Sequence, residues 1–239
     1  MPYYPDALWN RMLTLLEYRV EEAGRYAVSH VPRDGKWGSY SKTGANRTKT
    51  LRDAQDRVNY KIYTLGVARA VWLCDPEGKT RQRINIGVEP IRTSDLEAAK
   101  ALLAHYSNPP KVYSDGDLIW ANRRMVSYHH GTAHTVPFVD VYDGRVSFGS
   151  KTSMPKLSPL YISRNDVVLV EATLTRWKIG EESESSQDGQ NAETSSRAAR
   201  NMGWTSWKTG FELQSITLLF EGPEDIADDS ESEADVGEI

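Results

Sequence analysis

The sequence predicts an α+β fold, with N-terminal helices and a strand hairpin followed by an antiparallel sheet or small barrel. Three observations carry this reading. Helical hydrophobic spacing falls within the first 110 residues, strand-like runs dominate from Val112 onward, and the order is helices first, then mostly strands, with no alternating βαβ array.

The first helix is expected from Asp6 to about Ala23, because Pro5 and Asp6 suit a helix start and Gly24 its end. Leu8, Trp9, Met12, Leu13, Leu16 and Val20 recur at helical spacing and predict one inward face. Residues 31–49, rich in Gly, Ser, Lys and Arg, read as a loop, and a second helix is expected over about Thr50 to Tyr63. Two strand-like runs, Val67–Cys74 and Arg81–Glu89, flank Asp75-Pro76-Glu77-Gly78, which places Pro and Gly where a tight turn wants them. Ser94-Asp95-Leu96-Glu97 matches a capping box opening a helix over about Asp95 to His105, which Asn108-Pro109-Pro110 stops.

Short strands are expected at Leu118–Trp120 and Met125–Tyr128. Phe138–Tyr142 and Arg145–Phe148 flank Asp143-Gly144, a short hairpin signal. Val167–Trp177 is the strongest strand. Val168, Val170, Ala172 and Leu174 point one way, and Val167, Leu169, Glu171, Thr173 and Thr175 the other. Its first half is apolar on both faces, which predicts a central strand, paired with Phe211–Phe220 across a polar insert. The organisation read from this pattern is a helix-rich α+β part at 1–110, a β-rich part at 111–220 with a disordered Ser- and Glu-rich insert at 180–203, and a disordered acidic tail at 221–239.

The formal charge of −4 hides a split. Residues 221–239 hold nine acids and no Lys or Arg, and without them 24 acids face 29 bases, a charge of +5. Setting aside 181–203 as well leaves 19 acids against 27 bases, a charge of +8. A basic body with acidic flexible parts is the most informative compositional fact. The lone Cys74 cannot form an internal disulfide or a cysteine-based zinc site, and its apolar flanks Val71-Trp72-Leu73 predict an inert thiol in a buried strand. The N-terminus lacks the basic and apolar regions of a signal peptide, and no apolar stretch reaches the ~18 residues of a membrane span. A soluble intracellular protein of nucleus or cytoplasm is expected, with no membrane partner.

There is no GxGxxG, GxxxxGK[ST], HExxH, GxSxG or CxxC pattern. His129-His130-Gly131-Thr132-Ala133-His134, with Asp140 and Asp143, has the residue types for zinc or a general base, but Gly131 and Pro137 oppose the helix that would align His130 with His134. The balance leans away from catalysis, and no metal or cofactor is expected. The cations and aromatics are more suggestive. Lys36, Trp37, Arg47 and Lys49 lie in the first basic stretch, Arg123, Arg124 and Arg176 in the strand-rich half, and Trp204 and Trp207 at the edge of the insert. Flexible cations neutralise phosphates and exposed aromatics stack on unpaired bases; the alternative for Trp204 and Trp207 is that they clamp the following strand onto the core.

The stretch Asn165-Asp166-Val167-Val168-Leu169-Val170-Glu171-Ala172-Thr173-Leu174-Thr175-Arg176-Trp177, followed by the insert and Phe211–Phe220, resembles the strand of OB-fold domains that bind single-stranded nucleic acid, across residues 158–220. That resemblance implies a small OB-like barrel and makes Arg176, Trp177, Trp204 and Trp207 ligand-facing. The expectation is a protein that binds nucleic acid, chiefly single strands, through a basic and aromatic surface modulated by the acidic tail. The other readings are a scaffold module whose tail recruits a basic protein partner, and a hydrolase-type enzyme using the His129–His134 region.

Overall fold

The computed structural model describes residues 4–39, 47–110, 116–129, 131–179 and 205–223. The expectations placed on 180–203 and on most of the tail lie outside these residues. In chain order the elements are α1 (Asp6–Leu16), β1 (Arg19–Val20), β2 (Arg25–Ala27), β3 (Lys36–Trp37), β4 (Leu51–Arg52), β5 (Lys61–Cys74), β6 (Thr80–Pro90), α2 (Thr93–Tyr106), β7 (Ile119–Arg124), β8 (Val126–His129), β9 (Thr132–Thr135), β10 (Val141–Asp143), β11 (Val167–Lys178) and β12 (Trp207–Phe220). The described chain is mostly β-sheet with two α-helices, an α+β arrangement.

Strands β5, β11, β12, β7 and β6 are joined in that order, and a β5–β6 pairing closes the path into a ring. Every pair is antiparallel except β7–β12, which is parallel. Strands from both sides of residue 110 share this ring. β11 is central between β5 and β12, as its two apolar faces require. Val168, Val170, Ala172 and Leu174 line the interior with Ile62, Ile84, Ile86, Leu213 and Ile216. Val167 and Leu169 face outward, where Leu8, Met12, Leu15 and Leu16 of α1 cover them. Each such fully buried side chain contributes about 1.5–3 kcal/mol relative to exposure. Leu96, Ala99, Leu102 and Tyr106 of α2 complete the interior.

Several local expectations are overturned, each for an identifiable reason. α1 stops at Leu16 rather than Ala23, because the backbone of Arg19 and Val20 pairs instead with Tyr26 and Arg25 across a turn closed by Gly24 at φ +62°. Trp9 and Leu13, expected inward, are exposed. No helix forms over 50–63. Asp53 accepts the backbone N–H groups of Arg57 and Val58 and makes a turn of that stretch, and Leu51 pairs with Trp37 in a short hairpin. Ser94 is no cap. α2 begins at Thr93, and the buried Asp95 carboxylate is taken by Arg92, whose guanidinium also binds Glu17 and the Leu16 carbonyl.

Asp143-Gly144 is not a hairpin turn. Val141–Asp143 runs parallel to Ile216–Leu218, and the Gly144 N–H donates to the Leu218 carbonyl. A Cβ at Gly144 would come within 2.7 Å of the Thr217 methyl, so glycine serves close approach to β12 here. The Asp75–Gly78 turn forms as expected, with the Gly78 N–H donating to Asp75 O and φ +80° at the glycine. Trp72, placed in a buried strand by its neighbours, is 49% exposed. Cys74 is half-buried, and burial pushes its thiol pKa up, which disfavours the thiolate.

Candidate functional site

Alternation along β6 and β7 decides what the ring presents outward. Ile84, Ile86 and Val88 of β6, and Ile119 and Ala121 of β7, are buried, so Arg83, Asn85, Trp120, Asn122 and Arg124 face out. Register joins residues distant in sequence: Trp72 is the partner of Asn85, Asn85 of Asn122, and Asn122 of Glu212. One outer row thus runs Trp72, Asn85, Asn122, Glu212. Arg83 opposes Arg124 in the same pairing. Trp120, opposite Gly87, lies across that glycine, where a Cβ would come within 3.0 Å of the indole. There it stacks on Trp72 with ring centroids 5.4 Å apart and planes at 21°. Both rings are exposed, an arrangement of apolar surface that invites a flat partner.

Beside this face lies a groove of about 730 Å³ whose lining includes Lys49, Gln82, Arg83, Asn122, Arg123, Arg124, Arg176, Trp177 and Glu212. Lys49 reaches it because residues 48–50 dock along the end of β11. Thr50 bridges Thr175, and the Arg176 N–H donates to Lys49 O at 2.8 Å. Elsewhere Arg52, Arg57, Arg69, Arg92 and Arg145 pair with carboxylates. Lys49, Arg83, Arg123 and Arg124 have no carboxylate partner among the described residues. Arg124 donates to the Tyr128 hydroxyl at 2.8 Å and lies over that ring. Among the described residues, Glu212 is the one carboxylate in the lining. Burial raises its pKa, and Arg123 and Lys49 counter only part of that rise.

Arg176 has a different place. Its guanidinium lies 4.8 Å from the Trp37 ring centroid and 4.7 Å from that of Trp207, and its Nε–H donates to Thr48 O at 2.9 Å. Burial lowers its pKa to about 10, so it stays charged at neutral pH. The Trp207 indole N–H donates to Tyr106 O at 2.7 Å. Trp37, Arg176 and Trp207 are therefore packed together against α2, and Trp207 clamps the start of β12. Trp177 lies in the groove lining across Gly210, where a Cβ would come within 2.7 Å of the ring. Its buried indole nitrogen has no hydrogen-bond partner among the described residues.

Of the residues singled out by sequence, the groove gathers Lys49, Arg123, Arg124, Arg176 and Trp177. Lys36 and Trp37 are on β3, Arg47 opens the segment that carries Lys49, and Trp204 lies outside the described residues. Trp72, Arg83, Trp120, Asn122 and Glu212 were missed as site residues. Strand alternation around Ile119 and Ala121 was the available signal for Trp120. His129 and His134 sit on the β8–β9 hairpin with ring centroids 6.1 Å apart, and His130 lies outside the described residues. Among the described residues no group of three or more His, Cys, Asp or Glu is placed to hold a metal, and no helix is long and apolar enough to cross a membrane.

Further along the outer face of β11 and β12, a cavity of about 340 Å³ is lined by residues including Leu15, Arg25, Phe148 and Leu169. At its floor the buried Glu171 carboxylate accepts the Tyr63 hydroxyl at 2.7 Å and pairs with Lys151 at 3.0 Å and Lys61 at 3.8 Å.

Together these features define a β-rich protein with a closed strand ring, a cationic outer groove and an exposed indole pair. No family model and no curated protein matches the chain. Among solved structures it is similar to gp2.5, a single-stranded DNA-binding protein encoded by bacteriophage T7, at 14% identity and a TM-score of 0.37, over 72% of this chain and 98% of that one.

Proposed function

We propose that this chain binds single-stranded nucleic acid along the outer face formed by β5, β6, β7 and the groove beside them. One observation carries the reading: four cations with no carboxylate partner among the described residues, Lys49, Arg83, Arg123 and Arg124, line the groove, and the outer row that shares Asn122 and Glu212 with it carries the exposed Trp72, on which Trp120 stacks. Unpaired cations neutralise phosphates, and sequence-tolerant stacking on an aromatic face requires an unpaired base. Trp72 and Trp120 are the stacking platform in this reading, and Trp177 is a second one. Lys36 and Arg47 extend the phosphate track, while Trp37, Arg176 and Trp207 hold its end in shape. The strand order of the ring, with its parallel β7–β12 pair, supports an OB-like reading that extends from residues 158–220 to β5, β6 and β7. The acidic tail 221–239, with nine carboxylates and no cation, competes with phosphates for the same surface.

Anisotropy titrations with labelled oligonucleotides, single-stranded and duplex, test this across a range of salt. Single strands are expected to bind more tightly, with a log–log salt slope of about −3 if four phosphates are neutralised. Removing residues 224–239 is expected to raise affinity. The proposal falls if neither the full chain nor the tail-deleted chain binds single strands at low salt.

A further inference from the structure

We infer that Glu212 makes the groove select guanine. The inference rests on the binding mode proposed above and adds to it a base preference.

A surface built only to neutralise phosphates gains nothing from a carboxylate among Lys49, Arg83, Arg123 and Arg124. Glu212 is half-buried there, and its carboxylate has neither a hydrogen-bond donor nor an ion-pair partner among the described residues. A half-buried acceptor with no protein donor relies on water, and a ligand that displaces that water from the groove has to supply donors in its place. The same charge repels phosphates. A strand entering the groove lies with its backbone along the cations and its bases toward Glu212.

The neighbours of Glu212 suit a base. Asn122 is its register partner on β7, and Asn85 is the partner of Asn122 on β6, so amide groups flank the carboxylate on that side. Gly210 precedes Glu212 by two residues on the same face of β12, about 7 Å away at the rise of a strand. Trp177 lies across that glycine. A base stacked on Trp177 has its edge within reach of Glu212. Among the four DNA bases, guanine alone presents two adjacent donors, N1–H and the N2 amino group, to the two oxygens of one carboxylate. Adenine and cytosine bring one donor beside a ring acceptor, and thymine brings one donor between two carbonyls. Unpaired bases are read on this edge by side chains of single-strand-binding surfaces.

The test uses the full chain and labelled oligothymidylates carrying isolated guanines, inosines or adenines, at one fixed salt concentration. Guanine is expected to tighten binding about tenfold over thymine alone, with inosine, which lacks the N2 amino group, intermediate. Glu212→Gln is expected to abolish that ratio while binding the all-thymidine strand at least as tightly, since a negative charge has left the groove. If Glu212→Gln tightens every oligonucleotide by the same factor and keeps the guanine ratio, the carboxylate acts by charge alone and the inference is wrong. Equal affinity of the wild-type chain for all four strands overturns the inference and leaves single-strand binding standing. Binding to none of them overturns both.

Discussion

Trp120 lies on Trp72 with ring centroids 5.4 Å apart and planes at 21°, and both indoles face solvent. Neither ring is buried in the interior, so Trp72→Ala or Trp120→Ala is expected to leave the melting temperature nearly unchanged. Each is expected to weaken single-strand binding by about 1–3 kcal/mol, read by anisotropy. Gly87→Ala places a Cβ 3.0 Å from the Trp120 indole and is expected to weaken binding with both indoles intact.

The groove cations have a separate signature. Lys49→Ala, Arg83→Ala and Arg123→Ala are each expected to make the log–log salt slope shallower by about 0.7. Arg69→Ala, which removes a cation already paired with Glu89, is the control and should leave the slope in place.

Arg176 bears on stability. It is 8% exposed between Trp37 and Trp207. Arg176→Met keeps much of the volume but loses both ring contacts and the bond to Thr48 O. A loss of about 2 kcal/mol is expected in urea unfolding. Arg176→Lys is not expected to restore it fully, because an ammonium cannot lie flat between two indoles.

Glu171 and Glu212 are expected to respond to pH with opposite signs. Burial pushes the Glu171 pKa up, but the Tyr63 hydroxyl, Lys151 and Lys61 outweigh it and hold the carboxyl below its usual value. Its stabilisation is therefore present above the unfolded pKa of about 4.3 and lost as pH falls through the folded value. Glu171→Ala is expected to cost about 3 kcal/mol near pH 7, and the gap from wild type should narrow in acid.

For Glu212, burial leaves the folded pKa raised. Its contribution is fully present below the unfolded pKa and lost as pH rises through the folded value, so the ionised form costs stability at neutral pH. Glu212→Gln is expected to raise the melting temperature near pH 7 and to give no gain near pH 4. Thermal unfolding at both pH values checks the pair of predictions.

Much of the strand framework was legible in the sequence. Val167–Trp177 reads as central because both faces of its first half are apolar, and its partner across the insert is Phe211–Phe220, as found. Pro76 and Gly78 declare their turn. The helix expected over 50–63 was misread, since the side chain of Asp53 and the short pairing of Leu51 with Trp37 won over helical spacing. The hairpin expected at Asp143-Gly144 does not form, because Val141–Asp143 found a parallel partner in β12, a choice local pattern cannot express.

By itself the sequence determined the excess of base over acid in the body, the strongest strands and the absence of common catalytic motifs. Only the tertiary structure decided which of those charges and rings act together. Trp72, Asn85, Asn122 and Glu212 come from four strands and form one row through register alone. Arg176 and Trp177 are adjacent in the chain and both border the groove, yet alternation sends the first between two indoles and lays the second across Gly210. Hydrophobic period fixes which way a side chain points from its own strand. Which strands lie beside it, and so which residues share its face, is settled by long-range pairing and closure of the ring.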